Sequence, residues 1–175
     1  MPRRDHLRRL LDALAPSDET ERLHKSRMLS LLDAPGDAFA RDHYVPGHFT
    51  ASAFIVSEAR DALLLILHSK LGLWLQPGGH VDPDDADIVA AARREVLEEV
   101  MLRDLPLAHE GILDVDVHEI PARGDAPAHC HFDVRFAFQA PRGSGRAGSD
   151  ARDARWVRVQ DVASLQTDES VLRAV

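Results

Sequence analysis

Three glutamates in the middle of the chain, Glu95, Glu98 and Glu99, have the side-chain type and the spacing of a cation site. Residues three or four apart lie on the same side of a helix, so these carboxylates would converge at one helix edge. Crowded carboxylates repel each other, and a hard divalent cation such as Mg2+ offsets that repulsion because it prefers oxygen ligands. The alternative is an ordinary solvated helix face on which arginines alternate with glutamates.

A glycine pair before these glutamates favours the cation site. Gly78 and Gly79 predict a tight turn whose backbone groups approach a metal or a phosphate closely. Packing alone does not require such a turn at the start of an acidic helix. The turn therefore supports a functional role for the carboxylates.

The helix that carries the glutamates is predicted from about Asp85 to Met101. Asp84 or Asp85 is suited to cap its first turn, and the helix dipole also favours Asp87 there. The apolar residues at helical spacing that face inward are Ile88, Ala91, Ala92 and Val96. The pattern predicts one buried face and one acidic edge.

This stretch resembles the box of the Nudix hydrolases, which reads G, five residues, E, seven residues, then R-E-U-x-E-E-x-G-U, where U is apolar. Residues 94–102, REVLEEVML, match the second half at every fixed position but one. Residues 74–79, WLQPGG, are similar to the strand and turn that lead into the box. There are two departures: Met101 replaces the closing glycine, which predicts a different helix exit, and one extra residue separates the early acid, Asp85, from Arg94.

The resemblance implies an α+β fold, namely a Nudix-like α/β/α sandwich with a mixed sheet. It covers residues 46–175 and leaves residues 1–45 as an N-terminal helical extension. It also implies a pyrophosphohydrolase that depends on Mg2+ or Mn2+ and cleaves a nucleoside diphosphate linked to another moiety. In that reaction water attacks phosphorus, and no side chain acts as the nucleophile.

The resemblance also implies roles for individual residues. Glu95, Glu98 and Glu99 would hold the metal together with the carbonyl of Gly78. Arg94 would orient a glutamate through a charge-assisted hydrogen bond, so the catalytic residues would be Arg94, Glu98 and Glu99. Metal binding lowers the pKa of a bound water from about 15.7 toward about 7.

The general base stays open. In many relatives it is an acid in the loop before a late strand, and residues 155–159, RWVRV, resemble that strand. Asp150 and Asp153 are the acids near it, and neither aligns with the family pattern.

Two other functions occur on the same fold. One is an isomerase of the isopentenyl diphosphate type, and the other is a non-catalytic domain that senses a nucleotide or another ligand. The intact glutamate series favours the hydrolase. Sequence markers of relatives that cleave ADP-ribose or coenzyme A are not evident, so the substrate stays open.

A second candidate site lies on a strand predicted around residues 129–138. The residues of its apolar face are Cys130, Phe132, Val134, Phe136 and Phe138, and those of its polar face are His129, His131, Asp133 and Arg135. We predict that the polar face lines the substrate cleft, where Arg135 could meet a phosphate. The imidazoles could also ligate a metal, with His80 and His118 as contributors. The alternative is a polar face that is solvated or internally hydrogen-bonded, and a structural zinc site would need a further ligand.

Supporting elements follow from apolar periodicity. The predicted helices are Asp5–Leu14 and Ser17–Leu32, with helical turns at Asp161–Leu165 and Asp168–Arg173. The predicted strands are Thr50–Ser57 and Ala62–His68 as a hairpin, then Leu73–Leu75 and a half-buried strand over 113–118. The first two helices are either a lid or homodimer arm, or helices that pack on the flank, and we favour the flank.

Composition sets the remaining limits. The 175 residues are 45% hydrophobic and 29% charged, which suits one compact domain with an appendage. The formal net charge of −8 disfavours an extended nucleic-acid or anionic-membrane surface. The single cysteine, Cys130, excludes an internal disulfide, and the apolar runs are too short to span a bilayer. We therefore expect a cytoplasmic protein that acts on a small molecule.

Overall fold

A computed structural model describes residues 2–148 and 151–175. The helices in these ranges are α1 Pro2–Ala13, α2 Glu19–Asp33, α3 Ile88–Val100 and α4 Glu169–Arg173, with a 3-10 helix at Val159–Ser164. The strands are β1 Gly47–Ser57, β2 Ala62–His68, β3 Trp74–Leu75, β4 Gly78–His80, β5 Asp114–Ile120, β6 His129–Ala140 and β7 Ala151–Arg158. The described helices include none with the length and apolar character needed to cross a bilayer.

The strands form one seven-stranded sheet around β1 and β6. The strand order is β3-β2-β1-β6-β5, while β4 pairs with β1 and β7 pairs with β2. The long central pair, β1 and β6, is parallel, and the remaining pairs are antiparallel. The sheet is therefore mixed, as the family resemblance implied, and the predicted hairpin of β1 and β2 is confirmed.

Helices cover both faces of this sheet. On one face, Phe49 and Ile55 of β1 share a core with Val96 of α3. On the other face, Phe54 of β1 shares a second core with Val171 of α4 and with the 3-10 helix. Full burial of one such side chain contributes about 1.5–3 kcal/mol, so the two cores hold the helices onto the sheet. The α+β class and the layered architecture are confirmed.

The N-terminal helices pack on the same face as α3. Leu7 and Leu11 of α1 and Met28 of α2 are buried in the first core. The helix α2 begins after Asp18, whose side chain accepts a hydrogen bond of 2.7 Å from the backbone of Glu21. This cap explains why α2 starts later than its apolar pattern suggested. The division into 1–45 and 46–175 and the homodimer contact stay predictions.

Candidate active site

The acidic helix begins at a cap that the sequence identified only in part. Asp87 is the N-cap of α3, and its carboxylate accepts a hydrogen bond of 2.9 Å from the amide of Ala90. The expectation that Asp84 or Asp85 caps the helix is wrong. Asp85 instead accepts a bond of 2.8 Å from the amide of Asp82, which closes the turn before the helix.

The end of α3 is also fixed. Met101 has φ 59 and lies in the left-handed conformation, which glycine usually provides at this position. The prediction of a different helix exit is therefore wrong. Met101 takes the place of the closing glycine and adopts the same left-handed conformation. The amide of Arg146 donates to the backbone carbonyl of Val100 at 3.0 Å, and the amide of Gly148 donates to the backbone carbonyl of Glu99 at 2.8 Å. A later loop therefore satisfies two carbonyls at the end of the helix.

Arg94 connects the acids at this end of the sheet. Its Nη1 donates to Glu95 Oε1 at 2.8 Å and to Glu98 Oε2 at 3.2 Å. Its Nη2 donates to the carbonyl of His80 at 2.7 Å and to Asp85 Oδ2 at 3.0 Å, and its Nε to Asp85 Oδ1 at 3.2 Å. Asp85 therefore pairs with Arg94 despite the extra residue between them.

The acidic partners of Arg94 stabilise its positive charge. Burial opposes that charge, but hydrogen bonds to Asp85 and Glu95 outweigh burial and raise the pKa of the guanidinium. Since the group stays protonated at every working pH, it holds the carboxylates of Asp85, Glu95 and Glu98 in fixed orientations.

The three glutamates differ in exposure. Glu99 is 5% exposed, and its Oε2 accepts a bond of 2.8 Å from the amide of Gly78. The side chain of Glu95 is 12% exposed and lies against Gly79, where an added Cβ would be 2.5 Å from Oε1. Glu98 is the most accessible, with 49% of its side chain exposed. The glycine turn thus leaves room for Glu95 at Gly79 and offers the amide of Gly78 to Glu99.

Electrostatics at this cluster suit a hard cation. Burial raises the pKa of Glu95, and Glu98 and Asp82 raise it further, while Arg94 opposes the shift. The donor set consists of carboxylate oxygens crowded beside a backbone turn that leaves room for them. Such a set fits Mg2+ or Mn2+, and the residues that would hold the ion are Glu95, Glu98, Glu99 and the carbonyl of Gly78.

A comparison with protein families decides the relationship. The family model described as the NUDIX domain matches residues 47–174. The chain belongs to the Nudix family. No curated protein matches its sequence significantly.

Solved structures of Nudix proteins share the fold of this Nudix chain. A dihydroneopterin triphosphate pyrophosphohydrolase from E. coli has a TM-score of 0.59 at 18% identity, over 72% of this chain and 90% of that one. The NUDIX domain of NrtR from Shewanella oneidensis, complexed with ADP ribose, gives 0.55 at 18%, over 71% and 81%. An Ap4A hydrolase from C. elegans gives 0.54 at 20%, over 72% and 90%.

The polar face of β6 divides into two parts in this Nudix domain. Asp133 and Arg135 are 3% and 1% exposed. The guanidinium of Arg135 donates to Asp133 at 3.0 Å and to Asp114 at 2.8 Å, and lies 3.3 Å from Asp116. Arg135, expected to meet a phosphate, is thus surrounded by three aspartates. Its other partner is Ser170 of α4, at 2.8 Å.

Arg173 of α4 also belongs to this ion-pair network. It lies 3.0 Å from Asp114 and 3.2 Å from Asp116. These two aspartates are buried, which corrects the expectation that β5 is only half-buried. Two arginines face three aspartates, so the buried charge is largely matched.

The other part of the polar face consists of histidines. His131 packs against the rings of His48, His80, His118 and His129 with centroid separations of 4.9–5.6 Å. Burial lowers the pKa of His131 to about 2 and that of His48 to about 4, and neighbouring imidazoles add to both shifts. Both rings are therefore neutral at pH 7.

A short path joins this face to the glutamates. Ser52 donates to both carboxylate oxygens of Asp133 at 2.9 Å, and it pairs with Gly78 in the sheet. A Cβ on Gly78 would collide with the hydroxyl of Ser52. The amide of Gly78 binds Glu99, so Asp133, acting through Ser52, helps to stabilise the turn that positions this glutamate. The substrate-binding role of His129, His131, Asp133 and Arg135 stays a prediction.

Sequence reasoning missed several residues of this region. The side chains of His48 and Ser52 of β1 lie on the same face of the sheet as the polar face of β6. The parallel register places His48 beside His131 and Ser52 beside Arg135. The alternation of polar and apolar residues in β1 was the available signal. Of the candidate bases, Asp150 lies outside the described residues, and Asp153 lies 3.6 Å from Arg155 on β7.

Proposed function

We propose that this Nudix protein is a pyrophosphohydrolase, dependent on Mg2+ or Mn2+, that cleaves a nucleoside diphosphate linked to another moiety. The observation that carries the proposal is the arrangement around Arg94, which holds Glu95 and Glu98 while the amide of Gly78 holds Glu99. The three carboxylates stand at the box positions whose acids bind metal in the family. Their crowding and partial burial support a cation site.

The bound ion would offset charge on the phosphate oxygens and lower the pKa of water. Glu95 and Glu99 are mostly buried, so they enter the site already oriented. Glu98 reaches solvent, and its exposed carboxylate is the one most able to adjust to an incoming cation. A preoriented acid loses less side-chain entropy when it binds a cation.

Arg94 acts as a positioning residue in this proposal. Its guanidinium already donates to three carboxylates and to the carbonyl of His80, so it shapes the carboxylate set instead of meeting the substrate. A buried charged group with several partners holds them in a narrow range of geometries. We therefore expect loss of Arg94 to act mainly on metal affinity and not through a direct contact with the substrate.

The substrate class follows from the cation site and the charge of the chain. A net charge of −8 disfavours an extended polyanion, whereas a diphosphate bridged by a divalent ion does not require a basic surface. Names of similar structures refer to ADP ribose, Ap4A and dihydroneopterin triphosphate, and these compounds share linked phosphates. The partly exposed rings of His129 and His131 are the groups of the polar face that could touch the remainder of such a substrate.

The test is a panel of compounds assayed with Mg2+ or Mn2+: ADP-ribose, diadenosine tetraphosphate, nucleoside triphosphates and isopentenyl diphosphate. We expect metal-dependent release of phosphorylated products from at least one nucleotide, with oxygen from isotopically labelled water on phosphorus. Isomerisation of isopentenyl diphosphate without phosphate release would support the isomerase instead. Ligand binding without turnover across the panel would support the sensor.

A further inference from the structure

Three histidines from three different strands meet beside the carboxylate cluster. They are His48 of β1, His80 of β4 and His131 of β6, and one potential ligand atom from each lies within 4.8 Å of the others. The sheet register produces this meeting, because His48 is paired with His131 and His80 is paired with Thr50 two residues further along β1. Adjacent strands thus direct three imidazoles into one space.

His48 offers a buried ring nitrogen that could bind a ligand. It is 0% exposed, and its Nε2 is buried without a hydrogen-bond partner among the described residues. Its Nδ1 lies 3.3 Å from the carbonyl of His43, which can only accept a hydrogen bond. The proton of the neutral ring is therefore on Nδ1, and the lone pair of Nε2 is available. Buried polar atoms without a partner are rare in folded proteins, and a role in ion binding is one explanation for them.

One neighbouring histidine, His129, is held in the manner of a metal ligand. His129 packs against both His48 and His131, with ring centroids 5.0 and 5.3 Å apart, and its Nδ1 lies 2.8 Å from the carbonyl of Pro127. Ligating histidines commonly donate their second ring N–H to a carbonyl in this way. His129 is thus placed to be a fourth ligand or to border an open coordination position.

We propose that His48, His80 and His131 form a binding site for a divalent transition metal of the Zn2+ class, separate from the carboxylate cluster. Imidazole nitrogen suits Zn2+ and related ions, whereas Mg2+ prefers oxygen. Three histidines with one open position are a known ligand set for tetrahedral zinc. With Zn–N bonds of about 2.0–2.1 Å, ligand nitrogens lie about 3.4 Å apart, so small rotations of the partly exposed His80 and His131 would close the site.

The two centres share strand β4 but differ in ligand chemistry. The carbonyl of His80 accepts a bond of 2.7 Å from Arg94, and Gly79 lies against Glu95, so a metal on His80 would sit one residue from the carboxylate cluster. Nitrogen ligands on one side and oxygen ligands on the other allow two different ions to be held at once.

Direct binding of Zn2+ to tag-free protein in the presence of excess Mg2+ tests the proposal. We expect one Zn2+ per chain, and a loss of affinity of at least about 100-fold in His131→Ala and in His80→Gln. The matched control is His109→Ala, which removes an exposed histidine outside the cluster and should leave the affinity unchanged. Unchanged Zn2+ affinity in both cluster variants would overturn the proposal.

Two further measurements keep the result separate from the proposed hydrolase. Glu98→Gln should bind Zn2+ as the wild type does, and loss of the Zn2+ site in that variant would overturn the assignment to histidines. Should His131→Ala or His80→Gln fail to fold, the absorption spectrum of the Co2+-loaded wild type decides. Intense visible bands of tetrahedral Co2+ support the site, and the weak bands of octahedral Co2+ overturn it.

Discussion

The carboxylate cluster on α3 and the polar face of β6 are built from residues at very different separations in the chain. Gly78 and Glu99, the furthest members of the cluster, are 21 positions apart. On the polar face, Ser52 and Asp133 bond across 81 positions. Local periodicity can reveal the first arrangement, whereas the second exists only after the strands have paired in the right register.

The two regions also treat charge differently. At the cluster a single arginine, Arg94, forms ion pairs with several acids, and the side chain of Glu98 remains half exposed. On the polar face, Arg135 and Arg173 face three buried aspartates. Excess negative charge with partial exposure suits cation binding, and a buried network with matched charges suits a structural role. The comparison therefore predicts effects on activity in one region and on stability in the other.

The first expected effect is on activity, from Glu98→Gln. The substitution keeps the shape of the side chain but removes a charge from the cation site. We expect turnover of the true substrate to fall by at least about 100-fold, or about 2.7 kcal/mol of activation free energy. The thermal midpoint should hardly change, because half of this side chain is already exposed.

The matched control is Glu110→Gln, an exposed acid in the loop between α3 and β5. It should retain wild-type turnover. Near-normal turnover in both single variants, Glu98→Gln and Glu99→Gln, would count against the metal-dependent mechanism. Steady-state kinetics at saturating Mg2+ provide the measurement.

The second effect is on stability, from Arg135→Leu. This change leaves Asp114, Asp116 and Asp133 close together without their central cation. Removal of one partner from a buried ion pair costs about 3–5 kcal/mol of unfolding free energy. Urea denaturation measures the loss.

A surface ion pair is the control for that stability effect. Arg142 lies 2.8 Å from Asp61, and both side chains are about half exposed. Arg142→Ala should cost less than about 1 kcal/mol. Equal losses in Arg135→Leu and Arg142→Ala would remove the distinction between a buried network and a surface pair.

The third effect is a pH dependence of stability in the metal-free protein. Burial, together with the positive charge of neighbouring histidines, lowers the pKa of His131 from 6.5 to about 2. Between these values the unfolded chain binds a proton that the folded ring excludes. This contribution to stability is therefore present above about pH 6.5 and lost as the pH falls.

For one such histidine the loss is about 2 kcal/mol between pH 7 and pH 5. His131→Asn should remove that part of the pH dependence, whereas His109→Asn should retain it. Urea denaturation in the presence of a chelator at several pH values gives the slopes. Parallel slopes for the wild type and His131→Asn would contradict the buried, neutral state of this ring.

The smallest effect concerns the end of α3. Met101 has φ 59, where a side chain is strained and glycine is not. Met101→Gly should stabilise the fold by about 1 kcal/mol, measured as unfolding free energy. Met101→Ala should give no such gain, because it keeps the Cβ that is strained at this φ. Its shorter side chain should cost little, because Met101 is 48% exposed. A gain in both variants would show that backbone strain is not the cause.

The sequence predicted those parts of the molecule that depend on neighbours in the chain. The box helix, the hairpin and the alternation of β6 follow from periodicity and turn residues. The contacts of Arg135 could not be predicted in this way, since its partners come from β5, β6 and α4. The histidine cluster likewise requires the register of β1, β4 and β6. Alternation in β1 could place His48 on a polar face, but nothing local brought it together with His80 and His131.

The most direct test of the carboxylate site is anomalous diffraction from crystals soaked in Mn2+. We predict Mn2+ in contact with at least two of Glu95, Glu98 and Glu99, because these oxygen ligands converge beside the turn at Gly78. Soaked crystals of Glu98→Gln should show weaker density at the same place. Mn2+ bound only at the histidines, or only elsewhere on the surface, would contradict the central claim.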